Sequence, residues 1–176
     1  PVVATSNDKA VEGLGTGCMG DSTVCISLGT YTSAMMEGKE NLKGTSYAWP
    51  KFSCMPNKYL YDSNGIRRGM WTVSWYRDIL GEGYAKLAKE QGMSPEEALG
   101  REAEKVPVGS DGLMTVLNWL ANVDARYQKG IMIGFDGRHT RGHIYRSILE
   151  AVAMTMKRHV TDMCNEVGTT INKLII

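Results

Sequence analysis

One aspartate stands where a side chain could do acid–base chemistry. Asp8 follows residues 2–5, an apolar run predicted to form a buried strand, and precedes a predicted helix at residues 9–14. A carboxylate at such a junction can project into a cleft and accept a proton from a bound hydroxyl group. Aspartate is also a common helix N-cap. Asp8 considered alone therefore favours a cap, with a general base as the alternative.

A second candidate is the Ser-Leu-Gly-Thr segment at residues 27–30. Gly29 permits close approach to the backbone, so N–H groups and the Thr30 hydroxyl could surround a phosphate. In isolation the same pattern favours a plain hairpin corner. A phosphate-binding role therefore needs support from elsewhere in the chain.

Two further motifs are interpreted as structural. The glycine-rich run at residues 13–17 lacks the Gly-Lys-Ser/Thr ending of a P-loop, and it follows a helix where a P-loop precedes one. His139 and His143 have zinc-ligand spacing, but no Glu follows His139 as in metalloproteases, and His159 lies four turns further along the helix. Residues 136–141 are more simply a capped helix start.

Secondary-structure elements must position these residues. Strands are predicted at 2–5, 22–27 and 131–135, and helices at 9–14, 69–80, 94–105 and about 140–167. The last helix has a buried stripe at Ile144, Ile148, Val152, Met156 and Val160, widened by Tyr145, Leu149 and Ala153. Residues 38–65 are predicted to be irregular or short-stranded, and residues 81–108 to be a helical surface insert. Strands that alternate with helices favour a mixed α/β domain.

The composition disfavours several classes of function. Among 176 residues, 20 Lys and Arg face 19 Asp and Glu, a balance that disfavours nucleic acid or an anionic membrane as partner. No apolar run approaches the roughly 20 residues of a membrane span, and the first residues lack a signal-peptide pattern. The four cysteines form no Cys-x-x-Cys pair, which favours reduced thiols. We expect a cytoplasmic location.

Both ends of the chain have the composition of buried strands. The first residues are Pro-Val-Val-Ala and the last are Lys-Leu-Ile-Ile, whereas natural termini are usually polar and frayed. We therefore expect residues 1–176 to be a single partial domain of a longer polypeptide. The alternative is a small domain whose terminal strands are central to its sheet.

Four motifs, taken in order, resemble the FGGY carbohydrate kinases, which are ATP-dependent sugar and polyol kinases of the actin-like, ribonuclease H-like superfamily. They are Val-Val-Ala-Thr-Ser-Asn-Asp-Lys at 2–9, Ser-Leu-Gly-Thr at 27–30, Gly69 with Trp-Tyr-Arg-Asp at 75–78, and Gly-Ile-Met-Ile-Gly-Phe at 130–135 followed by His-Ile-Tyr-Arg-Ser-Ile-Leu-Glu at 143–150. The last, spaced motif is the most specific. Together the matches spread over nearly the whole chain.

The resemblance implies the fold and its context. The chain would be an actin-like ATPase domain with a mixed sheet and flanking helices, namely the C-terminal, nucleotide-side domain of a sugar kinase, truncated before a Gly-Gly loop that holds adenosine. The missing N-terminal domain would carry the other phosphate loop and most sugar contacts. The parent enzyme is a possible homodimer.

The resemblance also implies residue roles. Asp8 would be the general base toward the sugar hydroxyl and would contact Mg²⁺ through water, while Lys9 would touch the sugar. Lys9 stands where many members carry Gln or Asn, and Asn7 replaces the usual Gly. These two departures leave the identity of the sugar open.

The nucleotide side follows from the same resemblance. Gly29 and Thr30 would hold the β- and γ-phosphates of ATP, and Gly69 and Ser74 would line the ATP site. Met70 stands where a second Gly is frequent, and residues 117–124 differ from the family's pattern.

The resemblance therefore implies ATP-dependent phosphorylation of a sugar or polyol by the full-length parent, with the isolated fragment inactive. A non-catalytic actin-like domain that binds nucleotide or partners is the main alternative. Asp8 together with Thr30 argues against it, because a binding protein needs no base. Composition alone would also allow a structural or interaction module.

Overall fold

The computed structural model describes residues 6–20 and 22–176, so the strand predicted at residues 2–5 lies outside the described part. The chain divides into two compact units. The first holds the described residues up to Leu28 together with Thr32–Ile66 and Thr155–Ile176, and the second holds Gly29–Tyr31 and Arg67–Met154.

Helices and strands are mixed along the chain, but they occur in runs rather than in strict alternation. The helices are α1 (Asp8–Gly15), α2 (Trp71–Ile79), α3 (Gly81–Glu90), α4 (Pro95–Ala103) and α5 (Arg141–Val167). The strands are β1 (Thr23–Leu28), β2 (Thr32–Gly38), β3 (Trp49–Phe52), β4 (Tyr59–Asp62), β5 (Met114–Val116), β6 (Ile131–Ile133) and β7 (Lys173–Ile175). Residues 38–65 contribute two short strands, as expected.

The first unit is built on a mixed sheet. Its strand order is β3-β4-β2-β1-β7, with β7 parallel to β1 and the other pairs antiparallel. Helix α1 packs over one face of this sheet, because Ala10 clusters with Cys25, Met35 and Leu60 from three of the strands. The mixed α/β sheet with flanking helices confirms the predicted fold class.

The second unit is mainly helical. Helices α2, α3 and α4 and the beginning of α5 enclose one apolar cluster, and β5 pairs with β6 in a separate two-stranded sheet. Residues 81–108 supply five buried members of that cluster, Tyr84, Ala88, Ala98, Leu99 and Ala103. Helix α4 lies within the helix predicted at residues 94–105, and Ser94 caps it, because its hydroxyl accepts from the Glu97 amide at 3.2 Å. That this segment is an insert stays a prediction.

Helix α5 buries most of its predicted stripe. Ile148, Val152 and Met156 are all at most 5% exposed. Ala153 was expected to widen the stripe, but it is exposed. At about 100° per residue it lies roughly 140° around the helix from Ile148, which places it outside the buried arc. In the part of the chain that is described, no helix combines the length and apolarity that crossing a membrane requires.

Candidate functional site

The candidate residues fall into two groups, one in each unit. Asp8 and Lys9 belong to the first unit, and Gly29, Thr30, Gly69 and Ser74 belong to the second.

Asp8 opens helix α1 but does not cap it. The side chain of Asn7 accepts a hydrogen bond from the Ala10 amide at 3.0 Å and so fills the N-cap position. The exposed Asp8 carboxylate accepts from the Lys9 amide at 2.8 Å. The expectation that Asp8 is the cap is therefore wrong, because the cap position falls one residue earlier. The helix does not need Asp8 as its cap, which leaves the carboxylate available for chemistry.

Lys9 places a partly buried ammonium beside Asp8. Its side chain is 15% exposed, and Nζ lies 3.0 Å from Glu12 Oε2 and 2.6 Å from Ser27 Oγ. A cation in the first turn opposes the helix dipole, and the Glu12 carboxylate offsets that cost. The contact with Ser27 ties the start of α1 to the end of β1.

The Gly29–Tyr31 turn joins β1 to β2, so the hairpin corner expected from the sequence is present. The turn is fastened to the segment before α2. The Gly69 amide donates to the Thr30 carbonyl at 2.9 Å, and the Met70 amide donates to the Gly29 carbonyl at 3.2 Å. The structure thus brings three of the predicted nucleotide residues, Gly29, Thr30 and Gly69, together in one backbone cradle.

Some groups of the cradle are accessible to a ligand, whereas others are already hydrogen-bonded within the protein. The amide of the buried Gly69 is already bonded to Thr30, whereas Thr30 itself is exposed. Ser74 is half-buried inside α2, one turn beyond Met70. Arg68, the residue before Gly69, places its guanidinium carbon 3.9 Å from the centroid of the Trp71 ring. Of the cradle residues, Thr30 can present a side-chain hydroxyl to an anion.

The two histidines that could suggest zinc have structural contacts. His139 Nδ1 accepts from the Asp136 amide at 2.9 Å, and His143 Nδ1 accepts from the Thr140 amide at 3.2 Å. Over residues 6–20 and 22–176, no three His, Cys, Asp or Glu side chains converge as a metal site. Asp8 supplies an exposed carboxylate, an oxygen donor of the type that Mg²⁺ prefers, either directly or through water.

Two polar side chains that the sequence did not single out lie on the same face of the sheet as α1. Ser33 and Asp62 are 0% and 4% exposed, and each has a buried side-chain oxygen without a hydrogen-bond partner. Alternation along β4 places Asp62 on the face of Leu60, whereas the prediction of residues 38–65 as irregular or short-stranded assigns Asp62 to no particular face.

Comparison with known proteins identifies the family. Residues 24–176 match the model of the FGGY family of carbohydrate kinases, C-terminal domain. The uncharacterized sugar kinase YgcE of Escherichia coli (strain K12) is 51% identical over 176 residues, which are 100% of this chain and 36% of that protein. The chain thus spans about a third of the length of this relative.

Solved structures share the fold. Xylulose kinase from Rhodospirillum rubrum superposes with a TM-score of 0.78 at 23% identity, covering 94% of this chain and 32% of that one. Plasmodium falciparum glycerol kinase with ADP gives a TM-score of 0.69 at 20% identity, covering 95% and 32%. Fold and family match agree: the chain belongs to the FGGY family of carbohydrate kinases, within the C-terminal domain.

Proposed function

We propose that the longer protein containing this chain transfers the γ-phosphoryl group of ATP to a hydroxyl group of a sugar or polyol. The observation that carries the proposal is the position of Asp8 in helix α1. Its carboxylate is exposed in the first turn of a helix that Asn7 already caps, so capping does not account for it.

Asp8 acts as the general base. It accepts the proton of the acceptor hydroxyl as that oxygen attacks the γ-phosphorus, and the bond from phosphorus to the leaving oxygen of ADP breaks. Phosphoryl transfer passes through a loose transition state, so the proton moves late and an ordinary carboxylate suffices. Lys9 donates a hydrogen bond to the acceptor from the ammonium that already contacts Ser27.

The nucleotide is assigned to the cradle in the second unit. Gly29 and Thr30 bind the β- and γ-phosphates, and Gly69 and Ser74 line the remainder of the ATP site. The exposed Thr30, whose hydroxyl can donate to a phosphate oxygen, supports an anionic ligand. Mg²⁺ carried with ATP would neutralise charge on the phosphates, and Asp8 would contact it through water.

The non-catalytic alternative is a regulatory actin-like domain. It accounts for the nucleotide cradle but not for Asp8, since a domain that only binds nucleotide needs no proton acceptor. Turnover by the longer protein therefore separates the two functions.

Several features of the longer protein belong to the same proposal. Residues 1–176 are a partial domain that works with an N-terminal domain of the same protein, and the chain alone is inactive because positioning dominates this chemistry. A cytoplasmic location, where ATP is abundant, and a homodimer are part of the proposal.

A coupled kinase assay tests the proposal. The full-length protein is assayed with Mg-ATP against ketoses and polyols, in parallel with the isolated 176 residues. We expect turnover only from the full-length protein, and calorimetry should show weak or no binding of Mg-ATP to the isolated chain. Absence of turnover from the full-length protein on every acceptor contradicts the kinase function, and turnover by the isolated chain contradicts its inactivity.

A further inference from the structure

A row of polar side chains crosses the α1 face of the first unit's sheet. Lys9 Nζ contacts Ser27 Oγ, and Ser27 stands directly opposite Ser33 on the neighbouring strand. Asp62 stands opposite Met35, two residues along β2 from Ser33. Residues that face each other across strands share a face, and Met35 belongs to the cluster under α1. The row, which consists of Lys9, Ser27, Ser33 and Asp62, therefore starts at the residue next to the proposed base, Asp8.

Two members of the row are incompletely bonded. Asp62 Oδ2 pairs with the ammonium of Lys51, but Oδ1 is buried without a partner, and so is the Ser33 hydroxyl. A buried carboxylate oxygen and a buried hydroxyl are costly to leave unpaired. The Asp62 carboxylate oxygen and the Ser33 hydroxyl are therefore suited to hydrogen bonds with a ligand that carries hydroxyl groups.

The surroundings define the chemistry of that ligand. The ammonium groups of Lys9 and Lys51, which contact members of the row, are each paired with a carboxylate: Lys9 with Glu12, and Lys51 with Asp62. Because these charges balance, the row suits a neutral polyhydroxylated molecule better than a sugar acid. Lys51 lies on the edge strand β3 with a side chain 42% exposed, so movement of its flexible stem opens Asp62 to a ligand.

We infer that Asp62 and Ser33 determine the specificity for the acceptor, each bonding one of two hydroxyl groups of a neutral ketose or polyol. Asp62 accepts from one hydroxyl, and Ser33 bonds a second. The inference rests on the proposed kinase function and deepens it, because it assigns the acceptor a class and two contacts beyond Asp8 and Lys9.

The test uses Asp62→Asn and Ser33→Ala in the full-length protein, with D-xylulose, xylitol and D-gluconate as acceptors. We expect each variant to raise the KM for the neutral acceptor by about tenfold, the scale of one lost hydrogen bond, with kcat and the KM for Mg-ATP within about twofold. Asp124→Asn, which changes an exposed aspartate on a 3-10 turn of the second unit, is the matched control and should leave all three values unchanged.

A purely structural role gives a different pattern. If the Asp62 and Ser33 oxygens contact only buried water or neighbouring protein atoms, Ser33→Ala leaves the KM for the acceptor unchanged and alters only the Tm. That result overturns the inference but leaves the kinase function in place. Preference for D-gluconate overturns it as well. Asp62→Asn removes a partner of Lys51 and could fail to fold, whereas Ser33→Ala deletes an unpaired hydroxyl and keeps the test decisive.

Measurements of acceptor binding distinguish the inference from the proposed function. If the full-length protein phosphorylates none of the acceptors but a neutral acceptor raises its Tm, and Ser33→Ala abolishes that rise, the acceptor contacts stand and the kinase function falls. If neither turnover nor a Tm rise occurs with any acceptor, both are overturned.

Discussion

The start of α1 and the cradle around Gly29 and Gly69 place their functional groups in different ways. At α1 the groups are side chains, Asp8 and Lys9, on a helix that Asn7 caps independently. In the cradle two backbone segments are bonded to each other through Gly69 and Thr30. Substitution of the exposed Asp8 should therefore change chemistry with little change in stability, whereas the cradle depends on the packing of the helices in its own unit.

The largest expected effect comes from disrupting the packing of the helices in the second unit. Ile148 is fully buried on α5, so Ile148→Asp buries an unpaired charge and should lower the free energy of unfolding by at least about 3 kcal/mol. Ala153→Asp on the exposed side of the same helix is the control and should stay within about 0.5 kcal/mol. Urea unfolding of both variants measures the difference, and a stable Ile148→Asp variant would show that the stripe is not a core.

Asp8→Asn separates chemistry from stability at α1. In the full-length protein we expect turnover to fall by at least about a hundredfold, the scale of a positioned base, while ATP binding is retained. The Tm should also stay the same, because Asn7 keeps the cap. Undiminished turnover would remove Asp8 as the base.

Thr30→Ala tests the cradle without disturbing it. The bond from the Gly69 amide uses the Thr30 carbonyl, so removal of the exposed hydroxyl should leave the Tm unchanged. We expect the KM for Mg-ATP to rise by about tenfold, with the KM for the acceptor unchanged. The nucleotide assignment fails if steady-state kinetics show the reverse split.

Asn7→Ala is the counterpart of Asp8→Asn. Loss of the cap should cost about 1 kcal/mol of stability. Because Asp8 remains, kcat should fall far less than in Asp8→Asn. Thermal unfolding and a kinase assay on the two neighbouring variants measure both effects, and equal losses of kcat would mean that the two residues act only by holding α1.

The smallest expected effect concerns pH and Glu37. Burial acts to raise the pKa of Glu37, but hydrogen bonds from Lys58, Ser53 and the Gly20 amide outweigh it and hold the pKa below the ordinary value of 4.5. Its contribution to stability is therefore present above about pH 4.5 and is lost as the pH falls through the depressed pKa. In urea titrations between pH 3 and 6, Glu37→Gln should flatten the acid side of the stability curve, with Glu40→Gln as the control.

Local elements followed from local sequence. The Ser94 cap, the hairpin around Gly29 and the long helix α5 were predictable because each depends on spacing or capping within a few residues. The short strands β3 and β4 were only partly anticipated, since they become strands by pairing within the sheet. Short strands have little intrinsic signal of their own.

For the candidate site, the sequence by itself, through its motifs, is enough to name the residues that are proposed to carry the chemistry: Asp8, Lys9, Gly29, Thr30, Gly69 and Ser74. Only the tertiary structure decided that Gly69 bonds Thr30, and that Ser33 and Asp62 lie on the sheet face that α1 covers. The physical reason is sequence separation. Strand register and burial are set by contacts between segments far apart in the chain, and no local pattern encodes them.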